Sequence, residues 1–495
     1  MMNRRNHSLF LLLAASVVMS LPYMPYYNPL SCDTETYRYI SFVMMKGGVP
    51  YRDVFDHKPP MIYALNYTGL FLGGWLQWLI NTFLAALATF LLYRLGRKHR
   101  CPYPAIPPLL FNLMLHDFLI IGTGGVTREY ASMVLMIFFC VMMGEGRWRY
   151  YVMGLLASFT FFLQQEQVLA FLPFLVYSFF RRGDGVLPGR RIMEFVAGGL
   201  LVLAPILLYF GWHHALADLW RDAFGFNFGW YTTTLRETFG EHLKRAKRVL
   251  DAGNYEVAVL VVLVLGIVSL LSRHGNKRLL LASLAAVPLS IIPAFMGGRG
   301  VLGDFYDYYL PLSASVSILL FTVFAYTEEP FLQAGKLQVL FGILACTSLA
   351  YTFLQHITHL SPKRAHPVVD SPELNYLRAH RPGNYQLYQF GDHRYVCAYN
   401  EFRILAPSRW IYHNFWTVYD NWDRDHAILR SIEEDLLRHR TTYVIDCSTD
   451  PATQFKEPVL GLWHSFLEKY YERVPLPDTG GVRLWKWKGD GSGVW

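Results

Sequence analysis

"CDTETYRYISFVMMKGGVPYRDVFDHKPP", residues 32–60, stands between two long stretches without a charged side chain. It holds four acids, Asp33 and Glu35 as a D-x-E pair and Asp53 and Asp56 as a D-x-x-D pair, and it closes on Lys58-Pro59-Pro60. The stretches at its two ends, 10–32 and 59–93, lack Asp, Glu, Lys and Arg altogether. A membrane-crossing helix needs about 20 mostly apolar residues, so both flanks read as membrane spans and the acids as lying at a membrane surface. The pattern recurs at 101–116, 130–144, 150–165, 167–180, 195–212, 257–272, 279–298, 308–327 and 337–356, all without charge. The shorter runs gain length from their flanks or tilt beside longer neighbours. Only 17% of the 495 residues are charged, against roughly 25% in an ordinary soluble domain. The expected fold class is a polytopic α-helical membrane protein with about 11 transmembrane helices.

Basic residues of short loops stay cytoplasmic. With Arg4 and Arg5 inside, the later inside loops carry Arg94, Arg97, Lys98 and Arg100, then Arg147 and Arg149, then Arg181, Arg182, Arg190 and Arg191, then Arg273, Lys277 and Arg278. Only the last, near Glu328 and Lys336, is neutral or acidic. This alternation places outside the segment 32–60, the segment around 123–129, the loop 213–254, the segment 297–307 and everything after His356. Alternatively, Arg4-Arg5 and the apolar core behind it form a secretory signal cleaved near Val18-Met19-Ser20, which leaves the later topology unchanged. Outer stretches without an Asn-x-Ser/Thr sequon agree with a bacterial source, hence a multi-pass protein of the bacterial inner membrane with a cytoplasmic N-terminus. The net charge of +8 follows from cytoplasmic loops beside anionic lipid. No basic stripe interleaves with stacking aromatics, so nucleic acid is not an expected partner.

Composition changes near Ser361-Pro362, where charge and turn residues become dense. Residues 1–356 are therefore expected as the transmembrane domain, with its first external loop at 30–60, and 357–495 as an extracytoplasmic α/β domain. In that tail "NYQLYQFG" and "TTYVIDC" read as short strands, "GVRLWKWKG" alternates like a further strand, and "AILRSIEEDLLRHR" has the spacing of an amphipathic helix. Cys397 and Cys447 share the tail, as a disulfide or as separate thiols. The loop 213–254 carries "ALADLWRDAFGFNFGW" and "EHLKRAKRVL". Its cluster Lys244, Arg245, Lys247 and Arg248 suits lipid phosphate as well as it suits a solvated basic helix.

Each acid of the first outer loop, taken singly, suits loop decoration. Together with Lys58-Pro59-Pro60 they suggest more. Proline is favoured at the first turn of a helix, so the apolar run from Met61 should begin a helix whose positive end faces outward. A helix N-terminus beside a lysine suits a phosphate. The loop thus offers a carboxylate to take a proton and a cationic corner for a departing phosphate, the two requirements for displacing phosphate from a sugar. Nucleotide-sugars are made inside the cell, so an outer site needs a sugar carried on a lipid phosphate.

These residues carry a resemblance. "DTETYRY…GGVPYRDVFDHKPPMIY" resembles the first external loop of the GT-C superfamily of polyprenyl-phosphate-sugar-dependent glycosyltransferases. It looks closest to the bacterial branch related to protein O-mannosyltransferases and the lipid A aminoarabinose transferase. "GTGGVTREYASMVLM" (122–136) is similar to the family's second-loop segment, and "FYDYYLPLSA" (305–314) to the aromatic start of a late span. The resemblance covers most of residues 1–356 and the idea of an external C-terminal domain. It implies a membrane glycosyltransferase that inverts the anomeric carbon. Asp33 matches the first-loop acid assigned as catalytic base or acceptor-orienting group. Lys58 matches the lysine that contacts the lipid phosphate, and Glu129 the second acid near the site. Arg128 or the cluster at 244–248 would help with the leaving phosphate, while Glu35, Asp53 and Glu129 would bind sugar hydroxyls or steady basic side chains. The family's acidic pair is often adjacent, whereas Thr34 separates Asp33 from Glu35 here, so either can be the base. The late segment carries Tyr308 and Tyr309 without the family's histidine. The implied partners are a polyprenyl-phosphate-linked sugar, a lipid, glycan or protein acceptor, and membrane lipids. No cofactor is expected; a divalent metal would fit among the acids, but Lys58 already supplies positive charge.

Weaker motifs have bland explanations at least as good. His356 and His359 sit one helical turn apart without a further ligand nearby. Asp423–Arg424–Asp425 echoes a nucleotide-sugar D-x-D on the side away from nucleotides. Glu166 stands at an outer span end, in a cavity or in solvent. Two other functions compete with a transferase. A lipid-sugar flippase would show repeat halves and broken helices around midplane polar groups, and neither is evident. A non-enzymatic envelope scaffold would tolerate changes at Asp33 and Lys58.

Overall fold

The computed structural model describes residues 4–25, 32–99, 104–116, 124–181, 185–231, 277–296, 371–391, 393–411, 413, 423, 425–449, 455, 457–477 and 481–489. The runs 257–272, 308–327 and 337–356, the cluster 244–248, Tyr308, Tyr309, His356, His359 and the Glu166 side chain lie outside the described residues.

The described apolar runs fold as helices. These are α1 (Arg4–Ser20), α3 (Met61–Leu70), α4 (Trp75–Lys98), α5 (Ile106–Leu115), α6 (Thr127–Met143), α7 (Arg149–Phe161), α8 (Leu172–Phe179), α9 (Pro188–Trp212) and α10 (Lys277–Met296). By length and composition, two of the described helices, Trp75–Lys98 and Pro188–Trp212, are able to cross a membrane alone. The uncharged run 59–93 is not one helix. A tight turn at Phe71–Gly74, where Leu72 (φ 58°) and Gly74 (φ 87°) are left-handed, separates α3 from α4. Likewise the run 167–180 starts in a 3-10 segment, Gln165–Phe171, and only then becomes α8. The acid-rich stretch 32–60, expected as a loop, opens with a 14-residue helix, α2 (Cys32–Met45). Its side chains at Tyr37, Ile40, Ser41 and Met44 recur at helical spacing, and Tyr37, Ile40 and Ser41 are buried.

Helices α7 and α9 lie against one another so closely that a Cβ built on Gly154 would collide with the Phe195 carbonyl, and one on Gly198 with that of Tyr151. Small residues permit such approaches between membrane helices. At one end of the bundle the basic loops meet. Lys98 pairs with Glu145 at 2.8 Å, the Tyr150 hydroxyl donates to the Ser178 carbonyl, and Arg191 Nη1 donates to the carbonyls of Ser178, Phe179 and Arg181. These arginine bonds satisfy carbonyls left open at the end of α8. The acids of residues 32–60 gather at the other end, beside the Phe162 carbonyl and His213.

The tail holds α11 (Pro372–His380), α12 (Ala427–His439) and α13 (Val459–Tyr470) around a four-stranded sheet. Strands β1 (Leu387–Phe390), β2 (Tyr443–Asp446), β3 (Tyr471–Arg473) and β4 (Arg483–Trp487) lie in the order β1-β2-β4-β3. β1 and β2 are parallel, and the other two pairings are antiparallel. Three strands and α12 fall where alternation and helical spacing place them. α13 and β3 carried no separate signal. Cys397 and Cys447 are not joined by a disulfide. Asp423 of the D-x-D echo accepts the backbone N–H groups of Ile428 and Leu429 at the start of α12, so here it caps a helix.

Candidate functional site

Helix α2 sends its two acids apart, because residues two positions apart on a helix do not share a face. Glu35 turns to the tail, where its side chain and its carbonyl both accept from the Asn400 amide. Burial pushes the Glu35 carboxyl above its usual range, against the opposing pull of Arg38 and Asn400. Asp33 is half-buried, and its charge acts on Asp56.

Asp56 is the centre of the group and was not singled out as a site residue by sequence. It is buried, its Oδ2 accepts the Tyr63 hydroxyl at 2.8 Å, and its Oδ1 accepts the His57 N–H at 2.7 Å. Burial raises its pKa, while the Tyr63 hydroxyl, Lys58 and the His57 N–H oppose the rise. His57 is buried too, and burial reinforced by Lys58 pulls its pKa well below 6.5. His57 Nδ1 approaches Asp56 Oδ1 at 3.4 Å. The Lys58 carbonyl accepts the hydroxyls of Tyr51 at 2.7 Å and Tyr63 at 3.2 Å, which fixes the backbone from which the Lys58 side chain departs. The signal available in sequence was the D-H-K-P run itself, an acid two residues before the cation.

α3 begins at Met61 with Pro60 before it, as the proline placement suggests. Its first N–H is already used, however, because Met61 donates to the Phe162 carbonyl at 2.9 Å. The positive corner thus rests on Lys58 more than on open backbone donors. Asp53 stands apart from this centre. Its side chain is 36% exposed, accepts the Val49 N–H at 2.7 Å and pairs with Arg52 at 2.8 Å. Against the effect of burial, Arg52 and the Val49 N–H hold it below the usual carboxylate range. Arg52 also donates to the His213 carbonyl at the end of α9.

The second-loop segment closes on the first. Thr34 Oγ1 donates to the Gly124 carbonyl at 2.9 Å. Gly124 and Gly125 are both left-handed, with φ of 80° and 76°. A Cβ on Gly125 would press at 3.1 Å on both Thr34 and Gln77, so this crossing requires glycine twice over. Glu129, in the first turn of α6, is buried and accepts the Gly125 N–H at 2.6 Å and the Asn81 amide at 3.1 Å. Arg128 beside it is buried. The structure therefore gathers Asp33, Asp56, Lys58 and the 124–129 segment, ties Glu35 to the tail, and leaves Asp53 in a turn with Arg52.

The tail completes the enclosure. The Phe55 N–H donates to the Arg409 carbonyl at 2.8 Å, and the Ala406 N–H donates to the Tyr39 hydroxyl at 2.7 Å. The Phe55 ring packs on Trp410 and Phe226, and the Asn227 amide donates to the His57 carbonyl at 2.7 Å. Asp222, buried in the helical segment Trp220–Gly225, pairs with both Arg221 and Arg409.

No protein-family model matches this chain, and no curated protein matches its sequence. Solved structures do. The crystal structure of ArnT from Cupriavidus metallidurans in the apo state aligns over 98% of this chain and 98% of its own, with a TM-score of 0.57 at 12% identity. The same protein bound to undecaprenyl phosphate aligns over 98% of this chain and 99% of its own, with a TM-score of 0.55 at 11% identity. Similarity at that identity speaks for the fold, and it spans both the helical bundle and the tail. The chain accordingly shares the fold of these ArnT structures over nearly its whole length.

Proposed function

We propose that this protein is an integral-membrane glycosyltransferase that moves a sugar from a polyprenyl-phosphate donor to an acceptor hydroxyl outside the membrane. The observation that carries the proposal is the convergence of Asp33, Asp56 and Lys58 with the Gly124–Glu129 loop at the end of the bundle away from the basic loops. The fold shared with an ArnT structure that contains undecaprenyl phosphate supports the donor class.

In the proposed step the acceptor oxygen attacks the anomeric carbon from the face opposite the phosphate, and its proton passes to the Asp33 carboxylate. The bond from the anomeric carbon to the phosphate oxygen breaks with inversion. Polyprenyl phosphate leaves with that electron pair, its charge met by Lys58, with Arg128 in support. Asp33 suits the role of base better than Glu35, whose carboxylate is bound to Asn400. Asp56 holds the Lys58 backbone in place through Tyr63. Glu129 steadies the second loop, and Glu35 and Asp53 brace the rim or meet sugar hydroxyls. No metal is required, since Lys58 supplies the charge. The proposal includes about 11 spans, a cytoplasmic N-terminus, a membrane domain of residues 1–356 and an extracytoplasmic tail of 357–495. The acceptor is a lipid, a glycan or a protein.

Release of polyprenyl phosphate from a panel of polyprenyl-phosphate sugars, measured on the purified protein, tests the proposal. General-base catalysis contributes about 10²–10⁴-fold. Wild-type turnover with at least one donor should therefore fall by that order in Asp33→Asn, and Lys58→Ala should also lose turnover. Turnover that survives both substitutions would move the reaction elsewhere in the molecule.

A further inference from the structure

A cavity of about 860 Å³ opens between α8 and α10, far from the acids. Val176, Phe180 and Leu281 form its apolar wall, and Arg181 and Arg278 stand in its lining. The three apolar side chains are 58%, 71% and 57% exposed, so the cavity is a trough open toward the lipid side of the bundle. Arg181 Nη1 is buried and meets no hydrogen-bond acceptor among the described residues. Glu145, whose charge reaches Arg181, is already paired with Lys98 at 2.8 Å.

The position of the trough follows from α9. Near its start, Arg191 holds the Arg181 carbonyl at 2.7 Å, and just past its end the His213 carbonyl is held by Arg52. These points are 22 positions apart along α9 and its C-terminal cap, about 33 Å of helix, which exceeds the roughly 30 Å hydrocarbon core of a bilayer. The trough and the Arg52–Lys58 segment therefore belong to opposite faces of the membrane. A phosphate on Lys58 and a phosphate on Arg181 are two different molecules.

We propose that this trough binds one anionic glycerophospholipid of the leaflet opposite the candidate active site, its phosphate on Arg181 and Arg278 and its acyl chains along Val176, Phe180 and Leu281. Basic pockets between membrane helices recognise lipid head groups in this way, and guanidinium forks match phosphate oxygens with charge-assisted hydrogen bonds. The zwitterionic phosphatidylethanolamine offers no net charge to the two arginines, so the pocket discriminates by headgroup.

The test is native mass spectrometry of the full chain in detergent with equal amounts of phosphatidylglycerol and phosphatidylethanolamine. Wild type should retain one phosphatidylglycerol in preference. R181Q/R278Q should hold it about tenfold more weakly, R181K/R278K should keep most of the affinity, and R278Q alone should lose part of it. V176W, which fills the trough and keeps both charges, should also lose the lipid while melting at the wild-type temperature. Retention unchanged in R181Q/R278Q, or in both R278Q and V176W if the double variant does not fold, overturns the proposal. So does equal retention of the two lipids by wild type. Displacement of phosphatidylglycerol by equimolar undecaprenyl phosphate would reassign the trough to the carrier lipid.

Discussion

Asp33 and Glu35 are two positions apart on one helix, and that spacing, more than their shared chemistry, separates their roles. Glu35→Gln keeps an oxygen for the Asn400 amide, so its turnover should stay within a few-fold of wild type, whereas Asp33→Asn should lose it; steady-state kinetics on the pair decides this. Asp56 makes the sharper structural prediction. Asp56→Ala leaves the buried Tyr63 hydroxyl without its 2.8 Å acceptor, a loss of about 1–3 kcal/mol, and disturbs the Tyr63 side chain that meets the Lys58 carbonyl. Thermal melting should fall and donor binding should weaken together. In the tail, His464 Nε2 lies 3.6 Å from the buried Asp446, and that carboxylate raises the histidine above 6.5. A histidine raised on folding stabilises the fold fully below its unfolded pKa, and the contribution disappears as pH climbs through the folded value. Melting temperature should therefore decline as pH rises upward from about 6.5, and His464→Gln should flatten that part of the curve.

At the scale of elements, the contacts that matter are close backbone approaches. The crossing of α7 and α9 depends on Gly154 and Gly198, neither of which has room for a Cβ. Gly198→Leu should cost about 1–3 kcal/mol or more through overpacking, read as a fall in melting temperature in detergent. Control substitutions at the exposed Leu208 of the same helix should change little. The break at Phe71–Gly74 shows why uncharged length overstates a span: it redirects the chain between α3 and α4, which lets Asn66 on one helix accept the Gln77 amide of the next.

At the scale of the molecule, the tail is a clamp on the first loop. Asp222 is the joint: it is 3% exposed and lies between Arg221, 56% exposed, and Arg409, 21% exposed. Burial already lowers the Arg409 pKa, with Asp222 opposing that shift. Removing Asp222 takes the paired carboxylate from the mostly buried Arg409, while Arg221 keeps Asp218 at 2.9 Å. Removing Arg409 leaves Asp222 still paired with Arg221. Asp222→Asn should accordingly destabilise the protein more than Arg409→Gln, with the buried charge accounting for a cost of about 3–5 kcal/mol. Limited proteolysis of the tail and thermal melting together would show whether the order is as stated, and a reversed order would remove Asp222 as the joint.

Period and charge, which act over neighbouring residues, were enough to determine the membrane class, the basic loops on one side, three strands and α12 of the tail, and the start of α3 at Met61. Uncharged runs must leave water whatever their partners, and a proline before a helix acts within one turn. The tertiary structure alone decided that Asp56 is buried against Tyr63, that Glu35 belongs to Asn400, that Asp53 closes a turn with Arg52, and that residues 399–410 hold the first loop. Those outcomes depend on groups up to 367 positions apart in sequence, and burial, which raises the Asp56 pKa and lowers that of His57, exists only once such distant segments have packed.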